Sequence, residues 1–254
     1  MKQPVNPGEW LICRYSPVTL FSLRSTYATS KGGKTLLTPT PYAVKMALID
    51  ACFRVFPAEQ AEKAARDVFN LVKERPVRIK PPEECIVQNT FLRVLQPARD
   101  VTGEEGGNGP FSRTIAYREF VFFRGEMEIA ITADSSALEA MQTLLTHINY
   151  FGKRGSHWQF LGAQTHQGRL PYGFSIVATE IAQYPLDVVG RYRVTEYLDE
   201  FGPKLCAARD GFERISTYHD GDVKLGEHRI LQSTLLPYER KAAGRHFTHY
   251  RRAV

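Results

Sequence analysis

Residues 41–76, PYAVKMALIDACFRVFPAEQAEKAARDVFNLVKERP, decide the fold. Pro41 pre-sets a helix start, and Val44, Leu48, Cys52 (or Ala51) and Val55 then recur at helical spacing, so 42–56 reads as a helix with one buried face. Pro57 ends it. A second helix follows over 58–74, with Ala61, Ala65, Val68 and Val72 as its apolar stripe and Pro76 as its stop. Two helices in tandem need a sheet to cover, and the flanking sequence supplies strands on both sides.

Upstream, EWLICRY (9–15) is short, aromatic and apolar enough for a first strand, and the polar, basic SLRSTYATSKGGKTLLTPTP after it reads as an exposed loop. Downstream, 85–95 is rich in β-formers and is ended by Pro97. ARDVTGEEGGNGPFSR, with four glycines and little to bury, reads as a protruding tip or insertion. The runs 115–123 and 126–131, joined around Arg124 and Gly125, read as a hairpin. Asp134 or Ser135 can cap a third helix whose face is Leu138, Met141, Leu145 and Ile148, with Gly152 as a left-handed stop.

This order gives an α+β protein. Residues 1–160 resemble a ferredoxin-like β-α-β-β-α-β layer with a long insertion, and residues 161–254 form a less regular, β-rich C-terminal part. That part holds strand-like runs at 174–179, 191–197 and 230–236 and a basic tail, KAAGRHFTHYRRAV, which reads as mobile.

A chain of 254 residues that is 43% hydrophobic can bury a full core without disulfides or metals. Its 33 Lys and Arg against 27 Asp and Glu leave a charge of +6, which favours polyanionic partners. The four cysteines form no CxxC pair and none adjoins a His or Lys, so reduced, buried, unreactive thiols are expected. No apolar run reaches the roughly 20 residues that span a bilayer, and MKQPVNPGEW lacks a signal peptide's apolar segment. A cytoplasmic protein with no membrane partner is expected.

Lys31, Gly32, Gly33, Lys34 and Thr35 look superficially like a phosphate loop, but the GxxxxGK[ST] spacing fails. The loop still offers Arg24, Lys31 and Lys34 as cations, Tyr27 as a stacking surface, and two glycines through which backbone amides can approach an anion. A second constellation, INYFGKRGSHW (148–158), places Tyr150 beside Lys153, Arg154 and His157 in a tight basic turn. Rings that stack on bases next to cations that bind phosphates are what single-stranded RNA recognition requires.

Seven histidines form no HxxxH with a matching carboxylate, so neither a metal nor another cofactor is expected. Glu104 with Glu105, and Glu83 with Glu84, read as solvated charge. A metal-free nuclease would need a general base and a cation, for which His147, Tyr150, Lys153 and His157 are the candidates.

The stretch FSLRSTYATSKGGKTLLTPTPYAVKMALIDACFRV, with its P-x-P-x-A-V helix start, resembles the Cas-five family of CRISPR-associated proteins, as does THINYFGKRGS. The resemblance covers chiefly residues 9–160. It implies a ferredoxin-like (RRM-like) RAMP domain with a thumb at about 98–114. It also implies a noncatalytic subunit of a type I, Cascade-like interference complex that caps the five-prime handle of the guide RNA (crRNA). Neighbouring backbone subunits, a large subunit and, through the complex, target DNA would be its partners. The positions carried over are Arg24, Ser25, Thr26, Lys34, Lys153 and Arg154. One branch of the family cleaves precursor guide RNA with Tyr, Lys and His side chains, so a metal-independent endoribonuclease is the alternative.

Overall fold

Thr40 and Pro41 start the long helix together. In the computed structural model, which describes residues 9–26, 32–97, 110–134, 136–152, 155–216, 219 and 221–253, the Thr40 hydroxyl accepts a hydrogen bond from the Ala43 amide at 3.1 Å. Pro41 fills the first turn of α1 (Pro41–Val55), where a missing N–H costs nothing. Val44, Leu48 and Cys52 are buried along one face. Pro57 then opens α2 (Ala58–Val72), whose buried stripe is Ala61, Ala65, Phe69 and Val72; Phe69 takes the inward place expected of Val68. A third helix, α3 (Leu138–Thr146), buries Met141, Leu144 and Leu145.

The expected cap of α3 is not formed. Ala137 is its first flanking residue, and no side chain caps it. The Asp134 carboxylate is instead engaged by Arg75 from the end of the α2 region, which holds it below the usual carboxylate range. Ser135 lies outside the described residues.

In chain order the strands are β1 (Glu9–Pro17), the two-residue β2 (Leu23–Arg24), β3 (Gly32–Gly33) and β4 (Thr35–Leu36), then β5 (Val77–Lys80), β6 (Glu84–Pro97), β7 (Phe111–Arg124), β8 (Met127–Ala133) and β9 (Trp158–Gln167). The remainder runs β10 (Ile176–Val177), a 3-10 turn (Ala178–Gln183), α4 (Leu186–Val189), β11 (Val194–Phe201), α5 (Pro203–Ala207), α6 (Gly211–Arg214), β12 (Arg229–Leu236), β13 (Tyr238–Ala243) and β14 (Phe247–Arg252). The result is a mixed α and β structure built on antiparallel sheets.

The first sheet has the order β5-β8-β1-β9 and every pair in it is antiparallel. Both of its faces are covered. Leu11, Cys13 and Tyr15 point into the main core with the helices, whereas Trp10, Ile12 and Ala130 pack with Phe174 and Leu170 of the C-terminal part. Burial on both sides explains why β1 and β8 read as continuous apolar runs rather than alternating ones.

β7 and β8 do not form the expected hairpin. β7 is paired along its whole length with β6, from Glu84↔Arg124 to Pro97↔Phe111, and β8 joins the other sheet between β5 and β1. Gly125, at φ 113°, turns the chain from one sheet to the next, a conformation open to glycine without penalty. The physical reason is burial: MEIAITA has apolar residues on both faces and fits only the middle of a doubly covered sheet.

The basic tail is likewise not mobile. β13 and β14 form a hairpin, and β14 pairs with β6, so the second sheet runs β13-β14-β6-β7-β3. Tyr238 is fully buried and donates its hydroxyl to the Pro82 carbonyl at 2.7 Å. A third sheet, β10-β12-β11, replaces the irregular C-terminal strands, and β11 contributes Leu198 and Phe201 to the main core. The expected division after residue 160 falls inside β9, and the main core draws on residues from either side of it. Residues 98–109 of the expected thumb lie outside the described residues, and 111–114 begin β7. Among the described residues no helix is long and apolar enough to cross a membrane, and no group of His, Cys, Asp or Glu is arranged to hold a metal.

Candidate nucleic-acid interface

The loop between β1 and α1 is pinned at its base. The Leu23 amide donates to the Thr35 hydroxyl at 2.9 Å, and the Thr35 amide donates to Glu119 on β7 at 2.9 Å. β3 runs parallel to β7, with Gly32 opposite Tyr117 and Gly33 opposite Arg118. A side chain at Gly33 would place its Cβ 2.6 Å from Arg118 Cδ and 3.0 Å from the Tyr117 carbonyl oxygen. Gly33 therefore allows a close strand approach at which a larger residue would clash.

Of the cations read from this loop, Arg24 and Lys34 are exposed, as an interface requires. Ser25 is buried with its hydroxyl unpartnered, so this residue faces inward rather than toward a ligand. Tyr27 and Lys31 lie outside the described residues.

Thr26 is tied down by two residues that carry no recognisable sequence signal. Its hydroxyl donates to the Asp199 carboxylate, with oxygens at 2.8 and 2.7 Å, and accepts from Arg229 at 3.0 Å. Arg229 also pairs with Asp199 at 2.5 Å and stacks over the Tyr42 ring at 4.8 Å. Asp199 is on β11 and Arg229 begins β12, so the C-terminal part fixes the position of the basic loop. Next to this cluster, the Leu37 amide donates to Glu196 at 2.8 Å. Burial pushes the Glu196 carboxyl up to about 8, with the Leu37 bond pulling the other way.

The second basic turn follows α3. Gly152 has φ 68°, the left-handed stop expected there. Its open side faces Leu23 Cδ2 and Ala43 Cβ, each 4.0 Å from where a Cβ would stand. The turn that leads into Lys153 and Arg154 thus lies against the base of the Arg24 loop and the start of α1. Both of those cations lie outside the described residues.

Tyr150 is half-buried. Its hydroxyl donates to Asp50 at 3.1 Å and the Arg54 guanidinium lies 5.8 Å from its ring centre. Arg54 also donates to the His147 carbonyl at 2.7 Å and to Asn149 at 3.1 Å, so α1 anchors this turn through an Asp50–Arg54 pair at i,i+4 spacing. That spacing is visible in the sequence and could have flagged the pair. Phe151 and Trp158 are core residues packed with Tyr15 and Phe21. His157 is exposed; His147 is also exposed, and its Nδ1 sits 2.9 Å from the Thr143 carbonyl of its own helix. Of the four nuclease candidates, Tyr150 and His157 lie opposite each other in an isolated antiparallel bridge, the Tyr150 hydroxyl is taken by Asp50, His147 Nδ1 lies against its own helix, and Lys153 lies outside the described residues.

Thiol chemistry finds no support in the geometry. Burial pushes Cys13 and Cys85 up to about 12 and Cys52 to about 11, and no disulfide links the four cysteines.

No family profile matches the chain. A CRISPR-associated protein Cas5 of Archaeoglobus fulgidus is 26% identical over 144 residues, which are 57% of this chain and 57% of that relative. A crystal structure of a CRISPR protein from Archaeoglobus fulgidus aligns over 97% of this chain and 92% of its own, at 11% identity and TM-score 0.48. A chain of a CRISPR RNA-guided surveillance complex aligns over 57% of this chain and 58% of its own, at 14% identity and TM-score 0.34. The sequence match, together with the helix-start pattern at Pro39–Val44, makes this chain similar to CRISPR-associated proteins. The relative it matches in sequence is a Cas5 protein, of whose length the aligned part of this chain spans a little over half.

Proposed function

We propose that the chain is a noncatalytic subunit of a type I, Cascade-like interference complex that binds and caps the five-prime handle of the guide RNA. The observation that carries this reading is the packing of the Gly152 turn against Leu23 and Ala43, at the base of the Arg24 loop and the start of α1. Arg24 and Lys34 on one segment and Lys153 and Arg154 on the other would then grip consecutive phosphates. We read the first sheet with α1 to α3 as a ferredoxin-like layer. The β6–β7 hairpin serves as the thumb that reaches a neighbouring backbone subunit, and the large subunit and target DNA join through the complex.

The test is binding of the full chain to a repeat-derived handle RNA across a salt series. Changing Arg24, Lys34, Lys153 and Arg154 together to Ala should weaken binding and flatten the salt dependence by about three units of slope, since each single-strand phosphate contact contributes about 0.7. Binding equal to that of the unaltered chain would overturn the assignment. Incubation with precursor repeat RNA in EDTA should leave the RNA intact, and a single discrete cut would replace this reading with the endoribonuclease one.

A further inference from the structure

The first sheet cannot offer an open face to bases, because Trp10, Ile12 and Ala130 are covered by Phe174 and Leu170. The second sheet has the open face instead. On β6 and β7, Cys85, Val87, Val121 and Phe123 point into the core, so the alternate residues point outward. The register sets Arg124, Glu84 and Arg251 in one outward row across β7, β6 and β14, and Phe122, Ile86 and His249 in the next. Phe247 follows one row further on, opposite Gln88.

Large apolar groups and cations share this face in the open. Phe122 is 49% exposed and Phe247 42%, while the Arg124 and Arg251 side chains are 79% and 54% exposed. One carboxylate, Glu84, is shared between Arg124 at 3.2 Å and Arg251 at 3.9 Å, with His249 Nε2 4.0 Å away. Alternate residues on a strand are spaced by about 6.8 Å, so the Phe122 row lies from the cation row by about the reach of a nucleotide from base to phosphate, and the Phe247 row lies about one such step further on. Two exposed rings on adjoining rows of a flat sheet, beside an excess of guanidinium, match a single-stranded polynucleotide, whose bases stack and whose phosphates pair with Arg. A protein partner would find two arginines and a histidine to desolvate at the edge of the apolar patch.

We propose that the outer face of β14, β6 and β7 is a second binding platform for a single-stranded polynucleotide, with Phe122 and Phe247 as stacking rings and Arg124 and Arg251 as phosphate ligands. This platform shares β7 with the Arg24 loop, whose β3 pairs with it at Tyr117 and Arg118, but it uses other residues and does not depend on the handle reading. The C-terminal hairpin completes it, since β14 supplies both Phe247 and Arg251.

The test is fluorescence anisotropy of the full chain with a labelled 12-nucleotide oligo-U RNA and, in a parallel arm, oligo-dT DNA. Phe122→Ala with Phe247→Ala should weaken binding by at least about 10-fold with little change in salt slope, because stacking on one ring contributes about that much. Phe122→Tyr with Phe247→Tyr should bind like the unaltered chain. Arg124→Ala with Arg251→Ala should lower the salt slope by about 1.4, and Glu84→Gln should tighten binding. The arm with the larger response to ring loss identifies the sugar type of the ligand. Unchanged binding of the two-Ala ring variant, with its melting temperature preserved, would overturn the platform. So would a dimer of the unaltered chain that the same variant dissolves. A quadruple change at Arg24, Lys34, Lys153 and Arg154 that abolishes handle binding but leaves the ring effect intact separates the two sites.

Discussion

Lys45 on α1 and Glu200 on β11 meet 2.8 Å apart, with both side chains almost wholly out of solvent. Lys45 also donates to the Lys73 carbonyl at 3.2 Å, and Glu200 accepts from the Phe201 amide at 2.7 Å. Burial pushes the Glu200 carboxyl up and Lys45 pulls it back. The pair thus fastens the helix layer to the C-terminal sheet. Lys45→Ala strands a buried carboxylate and should cost about 3–5 kcal/mol, whereas Lys45→Met with Glu200→Leu should recover most of that loss. Urea denaturation reads both, and a single variant as stable as the unaltered chain would contradict the pairing.

Glu196 makes stability fall as pH rises. Its Oε2 is enclosed without a partner, and burial raises the carboxyl from 4.5 to about 8. A folded-state value above the unfolded one stabilises fully below pH 4.5, and that contribution is lost as pH rises through about 8. Thermal melting should therefore fall as pH rises from 4.5 to about 8 and level off above it, and Glu196→Gln should flatten that fall. Identical profiles for the two proteins would refute the assignment.

Asp199 holds the basic loop in place through Thr26 and Arg229. Asp199→Ala leaves Arg229 without its carboxylate and should lower stability by about 2 kcal/mol. Hydrogen exchange over residues 23–36 should speed up selectively, and handle RNA should bind more weakly although no cation has been removed. Exchange unchanged in that segment would mean the loop is held by its strand pairing alone.

Gly152 separates backbone strain from crowding. The neighbours of a Cβ there stand at 4.0 Å, an ordinary contact, so the penalty of Gly152→Ala comes from φ 68° alone and should be about 1–2 kcal/mol. Gly152→Asn should cost less, because asparagine tolerates the left-handed region. Equal melting temperatures for the Ala and Asn variants would show that the turn relaxes.

Local chemistry made much of this fold legible. Pro41, Pro57 and the apolar spacing marked α1 and α2 to within two residues, and the β-rich runs at 9–15 and 85–95 found β1 and β6. Strand partners were not legible. Arg124 and Gly125 look like a hairpin tip, yet whether β8 pairs with β7 or with β1 is decided by which sheet needs a doubly apolar strand, a tertiary fact. The site divides in the same way. Arg24, Lys34, Tyr150 and His157 were visible as charge and aromaticity, but the inward turn of Ser25 and the capture of Thr26 depend on Asp199 and Arg229, distant in sequence and without a motif of their own.

The pairing of β14 with β6 has a consequence in time. During synthesis β6 and β7 emerge long before β14 exists, so the outer edge of β6 stays unpaired through the making of most of the chain. Contacts that span such a separation form late. The unpaired edge at residues 84–88 is open to pairing with other chains until then. The final hairpin is a closing clasp, and premature termination before residue 247 would release a chain already committed to its core but still carrying an adhesive edge.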